Sequence, residues 1–581
     1  MLTTVISRRF FWGVFITLIV LQLLLTIQTE LFGDEAFYWL ESRFLDWSYS
    51  EIPGFVPWLN AFSTKLLPQH PFFLRLPYLL ACWCLPWLSY ALCLQLSQSR
   101  QAAWQGALLA LILPLLGLTG VLAIADIWLL FFTLLAVLFW LRLSIYQQHR
   151  DALLLGLTFL IAVNVHIRFW FVLFVALLAA AVIYKRSLFK LKPLWQIVMP
   201  LTILGFVPII IFNSQHGFPL LGFQLGERNP WQFQLSHLWF FLGQIMMTTP
   251  LVFWLCLVSL KKTGKENNRQ QAISFIQLLA VFYWLLYAIL GFFSDNLRTN
   301  IHWPLPSYLL LLVVAATFYQ RRQTLKKWAV ITGGLAHILF LCGFYLLLHV
   351  VPVTSNNHKQ LINNAIGWSQ LSSKTQALKQ PGQLIIADYF MTAAALNYYH
   401  ESAAIPSLSH PMNTKHGRQL QLSLMNLLYR KTPVQPALLV VEHTALKLPQ
   451  QIPFYQQSCQ QLNGLRLVDD LSIRQGSKLY YFFQTNSGSC ELPPIIYHEH
   501  EEGIHRGWVM VQKNRDTLLS DASASDLPIT IQTQSLGQSE LFKSLDPVQY
   551  QRLHYQLAKE GNLQLKVTTD RHTYLTQRFY R

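Results

Sequence analysis

Eleven apolar runs limit what this chain can become. They fall at about 10–29, 72–95, 102–118, 127–143, 152–164, 169–184, 194–212, 237–259, 272–292, 304–319 and 328–350. A helix needs roughly 20 apolar residues to cross the ~30 Å hydrocarbon layer, and most of these runs approach that length. Only 12% of the 581 residues are charged, against about 25% in an ordinary soluble domain. The pattern predicts an α-helical polytopic membrane protein of about eleven transmembrane helices. Runs five and six are short enough to form a hairpin that does not cross fully.

Charge decides the orientation. With the N-terminus inside, the inner segments carry 17 Lys and Arg before residue 352, including Lys185, Lys261, Arg321 and Lys326, and the outer ones carry six. This is the positive-inside pattern. Of eleven Asp and Glu in that stretch, only Asp151 and Glu266 fall inside. The net charge of +17 is therefore a topology signal, and nucleic acid is not an expected partner. Arg8 and Arg9 precede a first run with no small-residue cleavage site after it, so that run is read as a retained span. The predicted location is a bacterial inner membrane, N-terminus cytoplasmic and C-terminal region periplasmic. The lack of any Asn-X-Ser/Thr acceptor agrees with a bacterial source.

The expected domains are a transmembrane catalytic domain at 1–351, a periplasmic α/β domain at 352–490 and a small β-rich extension at 491–581. Residues 384–389, 437–443 and 478–485 read as strands, and 393–400 as a helix. GWVMVQ and LPITIQTQ read as later strands. Five cysteines lie in apolar runs and read as small buried hydrophobes. Cys459 and Cys490 either pair as a disulfide on the oxidising side or stay free.

Candidate chemistry clusters at the outer ends of the spans. Residues 30–58 hold Glu30, Asp34, Glu35, Glu41, Asp46 and Glu51, and carboxylates beside a membrane span are costly. Asp34, with neighbour Glu35, can serve as a general base or as a helix cap. Asp126 opens the fourth span, as a cap or as a second catalytic acid. Arg168 beside His166, and Arg298 near His302 and Trp303, suit a phosphate. Asn213, Gln215 and His216 suit sugar hydroxyls, and Glu51 is a further substrate contact. The sequence assigns no certain cofactor, and His216 with Glu227 is the candidate place for a divalent metal. The tail run of His498, His500, Glu501, Glu502 and His505 resembles a metal tract but lacks the HExxH spacing, and reads first as a solvated loop. Trp39, Trp47 and Trp303 read as interfacial anchors.

These residues carry a resemblance. DEAFYW at 34–39, LDWSY at 45–49, Asp126 before an aromatic span, NSQHG at 213–217, HWPLPSY at 302–308 and ADYFMTAAALNYY at 387–399 make the chain resemble family 39 glycosyltransferases of the GT-C fold. These are the bacterial relatives of protein O-mannosyltransferases and of the lipid A aminoarabinose transferase. The resemblance covers residues 1–485. It implies transfer of a hexosyl or pentosyl unit from a polyprenyl-phosphate donor to an exoplasmic lipid A, glycan or protein hydroxyl. It also implies that Asp34 is the base, Asp126 the second acid and Arg168 the phosphate ligand. Where the family shows His-Pro-Pro after the LDW element, this chain reads Glu51-Ile52-Pro53-Gly54. The competing readings are a flippase or transporter of lipid-linked sugars and an O-antigen ligase or polymerase. A transporter often shows internal symmetry, and the sequence shows none.

Overall fold

The computed structural model describes residues 8–227, 231–261, 268–293, 301–318, 321–353, 355–430, 435–474, 476–485, 488, 490–501, 504–512, 518–521, 530–533, 550–558, 565–568 and 573–575. The chain forms two compact units. One comprises Met1–Thr29 and Glu41–Tyr345, the other Glu30–Leu40 and Leu346–Arg581.

The first unit is helical. In order come α1 (Arg8–Gln28), α2 (Gly33–Ser42, whose first eight residues belong to the second unit), α3 (Phe55–Leu66), α4 (Pro71–Ser97), α5 (Arg100–Ala110), α6 (Pro114–Val121), α7 (Ala125–Tyr146), α8 (His149–Ala162), α9 (Ile167–Tyr184), α10 (Arg186–Lys190), α11 (Met199–His216), α12 (Pro219–Gly222), α13 (Trp239–Thr248), α14 (Pro250–Ser259), α15 (Asn268–Leu290), α16 (Leu305–Thr317) and α17 (Gln323–His349). Within the described residues, each of the eleven apolar runs is largely helical. Among the described residues seven helices are long and apolar enough to cross a membrane, or up to nine if each bent pair is one span. α16 is a shorter apolar helix.

The bends have local causes. α5 and α6 meet at 69°; Leu113, ahead of Pro114, is extended at φ −88°, ψ 111°. α13 and α14 meet at 99°, and Thr249 before Pro250 sits at φ 70°. A proline ring pushes the preceding residue out of the α region, which ends the first helix of each pair. α1 ends differently. Buried Arg75 donates to the carbonyls of Thr26 and Thr29 at 3.3 and 3.0 Å, a cation on C-terminal carbonyls that lack helical partners.

The second unit adds α18 (Asn356–Ala365), α19 (Trp368–Leu378), β1 (Leu384–Ala387), α20 (Phe390–Tyr399), α21 (Pro411–Lys415), α22 (Arg418–Leu424), β2 (Ala437–Glu442), α23 (Leu448–Gln461), β3 (Leu465–Ile473) and β4 (Lys478–Thr485). The sheet order is β1-β2-β4-β3, with β1 and β2 parallel and the other pairs antiparallel. All six β2 residues are buried, as expected for a strand covered on both faces. The core joins Ile386, Leu439, Tyr455, Leu479 and Phe483. A Cys459–Cys490 disulfide ties α23 to the segment after β4.

Beyond it lie β5 (Ile495–Glu501), β6 (Ile504–Gln512), β7 (Leu518–Asp521), β8 (Thr530–Thr533), β9 (Tyr550–Ala558), β10 (Leu565–Thr568) and β11 (Thr573–Leu575), in sheets ordered β5-β6-β9-β8 and β11-β10-β7. Ile495 and Val509 pack into the α/β core. The tail run expected as a solvated loop is instead a hairpin: His498, His500 and Glu501 lie in β5 and His505 in β6, with His500 paired to His505. Glu502 lies outside the described residues.

The α/β core also buries charge. Asp388, just after β1, accepts from the amides of Tyr389 and Glu442 at 2.8 and 2.7 Å. Glu442 accepts from the hydroxyls of Tyr389 and Tyr480 at 2.8 and 3.2 Å. Burial, with the nearby Glu442 charge, pushes the Asp388 carboxyl up to about 7. Burial pushes His410 and His443 down to about 3.

Candidate functional site

In the first unit three distant stretches meet at one carboxylate. Asp126 lies in the first turn of α7, whose N-cap is Ile124, so Asp126 is not the cap. Its Oδ1 accepts from Arg168 Nη2 at 2.9 Å and stands 3.2 Å from His302 Nε2. The Asp126 and Arg168 side chains are 13% and 7% exposed, so the pair is largely sheltered from water. Arg168 lies in the first turn of α9, and His166 caps that helix by accepting the Arg168 amide on Nδ1 at 3.0 Å. A neutral imidazole has one acceptor nitrogen. Arg168 Nε also approaches His166 Nε2 at 3.4 Å, the longer of the two contacts.

Aromatic rings wall this cluster. The Arg168 guanidinium lies 5.3 Å from the Trp303 ring centre. Trp303 meets Tyr287 edge-on at 5.2 Å, and Tyr287 meets Tyr283 at 5.0 Å. Trp303 is thus a wall of the cluster as well as half-buried. Tyr283 and Tyr287, one helical turn apart on α15, have no sequence signal beyond that spacing. The same helices line an apolar cavity of about 170 Å³ that includes Val172, one turn past Arg168, and Leu279, one turn before Tyr283.

The second unit holds the other acid pair. α2 starts at Gly33, so Asp34 and Glu35 both sit in its first turn and Asp34 does not cap it. Buried Glu35 accepts the Phe32 amide at 2.7 Å, the backward half of a capping box. Asp34 pairs with Arg418 Nη2 at 2.9 Å; the side chains are 36% and 3% exposed. Arg418 is held between rings, 4.2 Å from Phe390 and 4.5 Å from Phe37. Nothing in the sequence marks Arg418. Trp39, expected as an interfacial anchor, is buried, edge-on to Tyr398 at 5.0 Å.

The remaining acids of residues 30–58 divide by task. Glu30 accepts from the Trp368 and Ser369 amides at 2.8 and 3.0 Å, capping α19 where Gly367 has no side chain to do so. Asp46 accepts the Trp47 amide at 2.6 Å, and Glu41 is buried. Glu51 is buried in the first unit; its carboxylate accepts from Ser50 Oγ at 3.1 Å and its carbonyl from Gln224 at 2.9 Å.

The stretch after run seven is structural in its contacts. Asn213 donates to the Ile209 carbonyl and accepts the Leu220 amide, holding α12 against the end of α11. His216 packs on Phe212 at 4.8 Å, and Gln215 is exposed. The Glu227 side chain and Arg298 lie outside the described residues. Among the described residues no three His, Cys, Asp or Glu side chains converge as a metal site.

The family model described as dolichyl-phosphate-mannose-protein mannosyltransferase matches residues 52–212, a stretch that holds Asp126, His166 and Arg168. The fold is similar to that of ArnT from Cupriavidus metallidurans bound to undecaprenyl phosphate, with a TM-score of 0.59 at 12% identity, over 82% of this chain and 98% of that one. The apo state of the same ArnT gives 0.49 at 12% identity over the same shares. No curated protein sequence matches the chain. The chain has the GT-C fold, with an α/β region after the membrane helices.

Proposed function

We propose that this protein is a multi-pass inner-membrane glycosyltransferase that moves a hexosyl or pentosyl unit from a polyprenyl-phosphate carrier to a hydroxyl of an exoplasmic lipid A, glycan or protein acceptor. The convergence of Arg168, Asp126, His302 and Trp303 carries this reading. An arginine in the first turn of a helix stands at the unfavourable end for a cation. Together with the helix N-terminus it forms a place for an anion. Asp126 orients the guanidinium and offsets its charge until a phosphate arrives. The apolar cavity one turn further along suits the prenyl chain.

In the reaction the acceptor oxygen forms a bond to the anomeric carbon as the bond from that carbon to the carrier phosphate oxygen breaks. The acceptor proton passes to a carboxylate, the part for which the sequence resemblance singles out Asp34. Polyprenyl phosphate leaves with one more negative charge than the diester had, and Arg168 and His302 stabilise that charge as it develops. Attack opposite the leaving group inverts the anomeric centre.

The test is reconstitution of the full chain with a synthetic polyprenyl-phosphate sugar, with mass spectrometry of envelope glycolipids and glycoproteins from cells with and without it. The expected result is a glycan mass lost with the protein and restored by it. Unchanged glycans with sugar-loaded carrier accumulating on the inner face would favour the flippase reading instead.

A further inference from the structure

The far end of α16 carries chemistry that the proposed reaction does not use. His302 and Trp303 precede its first residue, and Phe318 follows its last. The thirteen residues of α16 span about 20 Å at 1.5 Å each. At that far end lies a cavity of about 300 Å³, lined among others by Lys261, Arg321, Arg322, Lys326, Val258 and Phe318. No carboxylate is among the described residues that line it. Lys326 is only 2% exposed, and its ammonium donates to Gln105 Oε1 at 3.0 Å and to the Phe318 carbonyl at 2.8 Å. Arg321 lies 5.1 Å from the Phe318 ring centre. Lys261, Arg321 and Arg322 are exposed.

Basic residues at one end of the spans satisfy orientation during insertion. Orientation requires only that they lie in the loops, not that four cations line one concavity with a lysine sunk among the helices. The surrounding surface is apolar: Trp254 and Leu257 of α14 and Trp328 of α17 are exposed. Arg322 also lines a neighbouring hollow with Leu251 and Trp328. Cations in a hollow flanked by exposed aromatic and aliphatic side chains match a molecule with a phosphate head and apolar tails.

We propose that this cavity binds the headgroup of an anionic membrane phospholipid. The guanidinium forks of Arg321 and Arg322 take the phosphate oxygens, Lys326 supplies charge from below, and the acyl chains lie along the apolar faces of α14 and α17. Occupancy ties α14, α16 and α17 together at the end opposite His302. The site stands whether or not the protein transfers a sugar.

The experiment uses the delipidated full chain in nanodiscs of phosphatidylcholine alone or with phosphatidylglycerol, plus inorganic phosphate and glycerol 3-phosphate as free anions. Phosphatidylglycerol is expected to raise the melting temperature by about 5 °C and to persist as a bound lipid in native mass spectra. Arg321→Gln with Arg322→Gln, at exposed positions, should weaken that retention at least tenfold while the phosphatidylcholine melting temperature stays the same. Equal stabilisation by both lipids, or equal retention in the double variant, overturns the proposal. So does a full stabilising shift with free phosphate or glycerol 3-phosphate, which would mark a small-anion site.

Discussion

Two aspartate–arginine pairs, Asp126–Arg168 in the first unit and Asp34–Arg418 in the second, have the same 2.9 Å separation and different surroundings. In both, the acid lies in the first turn of a helix and the arginine opens another. Around Asp126 the cation side is reinforced: His302 adds a second nitrogen, and Trp303 faces the guanidinium. Around Asp34 the aromatic rings enclose the arginine, and the carboxylate is the exposed member. Both arginines are sheltered; the first has a second nitrogen group, His302, on the same carboxylate, which suits holding an anion. An exposed carboxylate on a fixed arginine suits receiving a proton. In the proposed reaction the first pair holds the donor phosphate and the second takes the proton, and what differs between them is how open the carboxylate is, 13% against 36% exposed.

The comparison breaks most visibly at Arg168. Arg168→Ala should abolish donor binding and cut transfer by more than about 10³-fold; it also leaves Asp126 sheltered with less compensation, costing about 3–5 kcal/mol of stability. Donor binding and a melting curve in detergent measure both, and wild-type donor affinity would dissolve the distinction. Asp34→Asn should act on the other side, lowering kcat by about 10²–10⁴-fold with donor affinity within about twofold. A loss of donor affinity instead would make Asp34 part of the phosphate site. Arg418→Met keeps the bulk between the rings and removes the charge. Its expected effect is a fall in kcat of about tenfold, one factor of ten per ~1.4 kcal/mol of lost positioning, with donor affinity unchanged.

The smallest effect concerns the buried charges of the α/β core. Between about pH 4 and 6.5 the folded chain keeps His410 and His443 neutral, whereas the unfolded chain protonates both. Asp388, up at about 7, holds a proton only when folded. For these three groups the unfolded state binds about one proton more, a contribution of roughly 1.4 kcal/mol of stability lost per pH unit on acidification. Asp388→Asn removes the opposing group and should roughly double that slope. Proteolysis of the C-terminal region across pH reads it; a shallower slope in the variant would refute the assignment.

Several site residues are legible in the amino-acid sequence. Asp126 stands out as a lone charge in an apolar stretch. His166, Arg168, His302 and Trp303 stand out as polar or aromatic residues at span ends, where membrane burial makes them costly. Their meeting is not legible, because positions 126, 166–168 and 302–303 are separated by whole spans. Arg418 is invisible for the opposite reason: in a polar region an arginine carries no cost and no signal. The six acids of residues 30–58 look like one patch, yet Glu30 caps α19 and Glu35 caps its own helix.

Sequence by itself determined the helices, because apolar runs, most of them near span length, admit little else in a bilayer where every backbone polar group must be paired internally. It also determined the charge asymmetry along them, and five of the eleven described strands after residue 383, namely β1, β2, β4, β6 and β8. Tertiary structure alone decided which acids meet arginines, that Trp39 is buried, that Glu30–Leu40 clusters with the C-terminal unit, and that four cations line one cavity at the far end of α16. Periodicity and hydropathy are local properties that a short window reveals. A pairing between side chains hundreds of residues apart exists only once packing has chosen among the many ways to bury the same apolar faces.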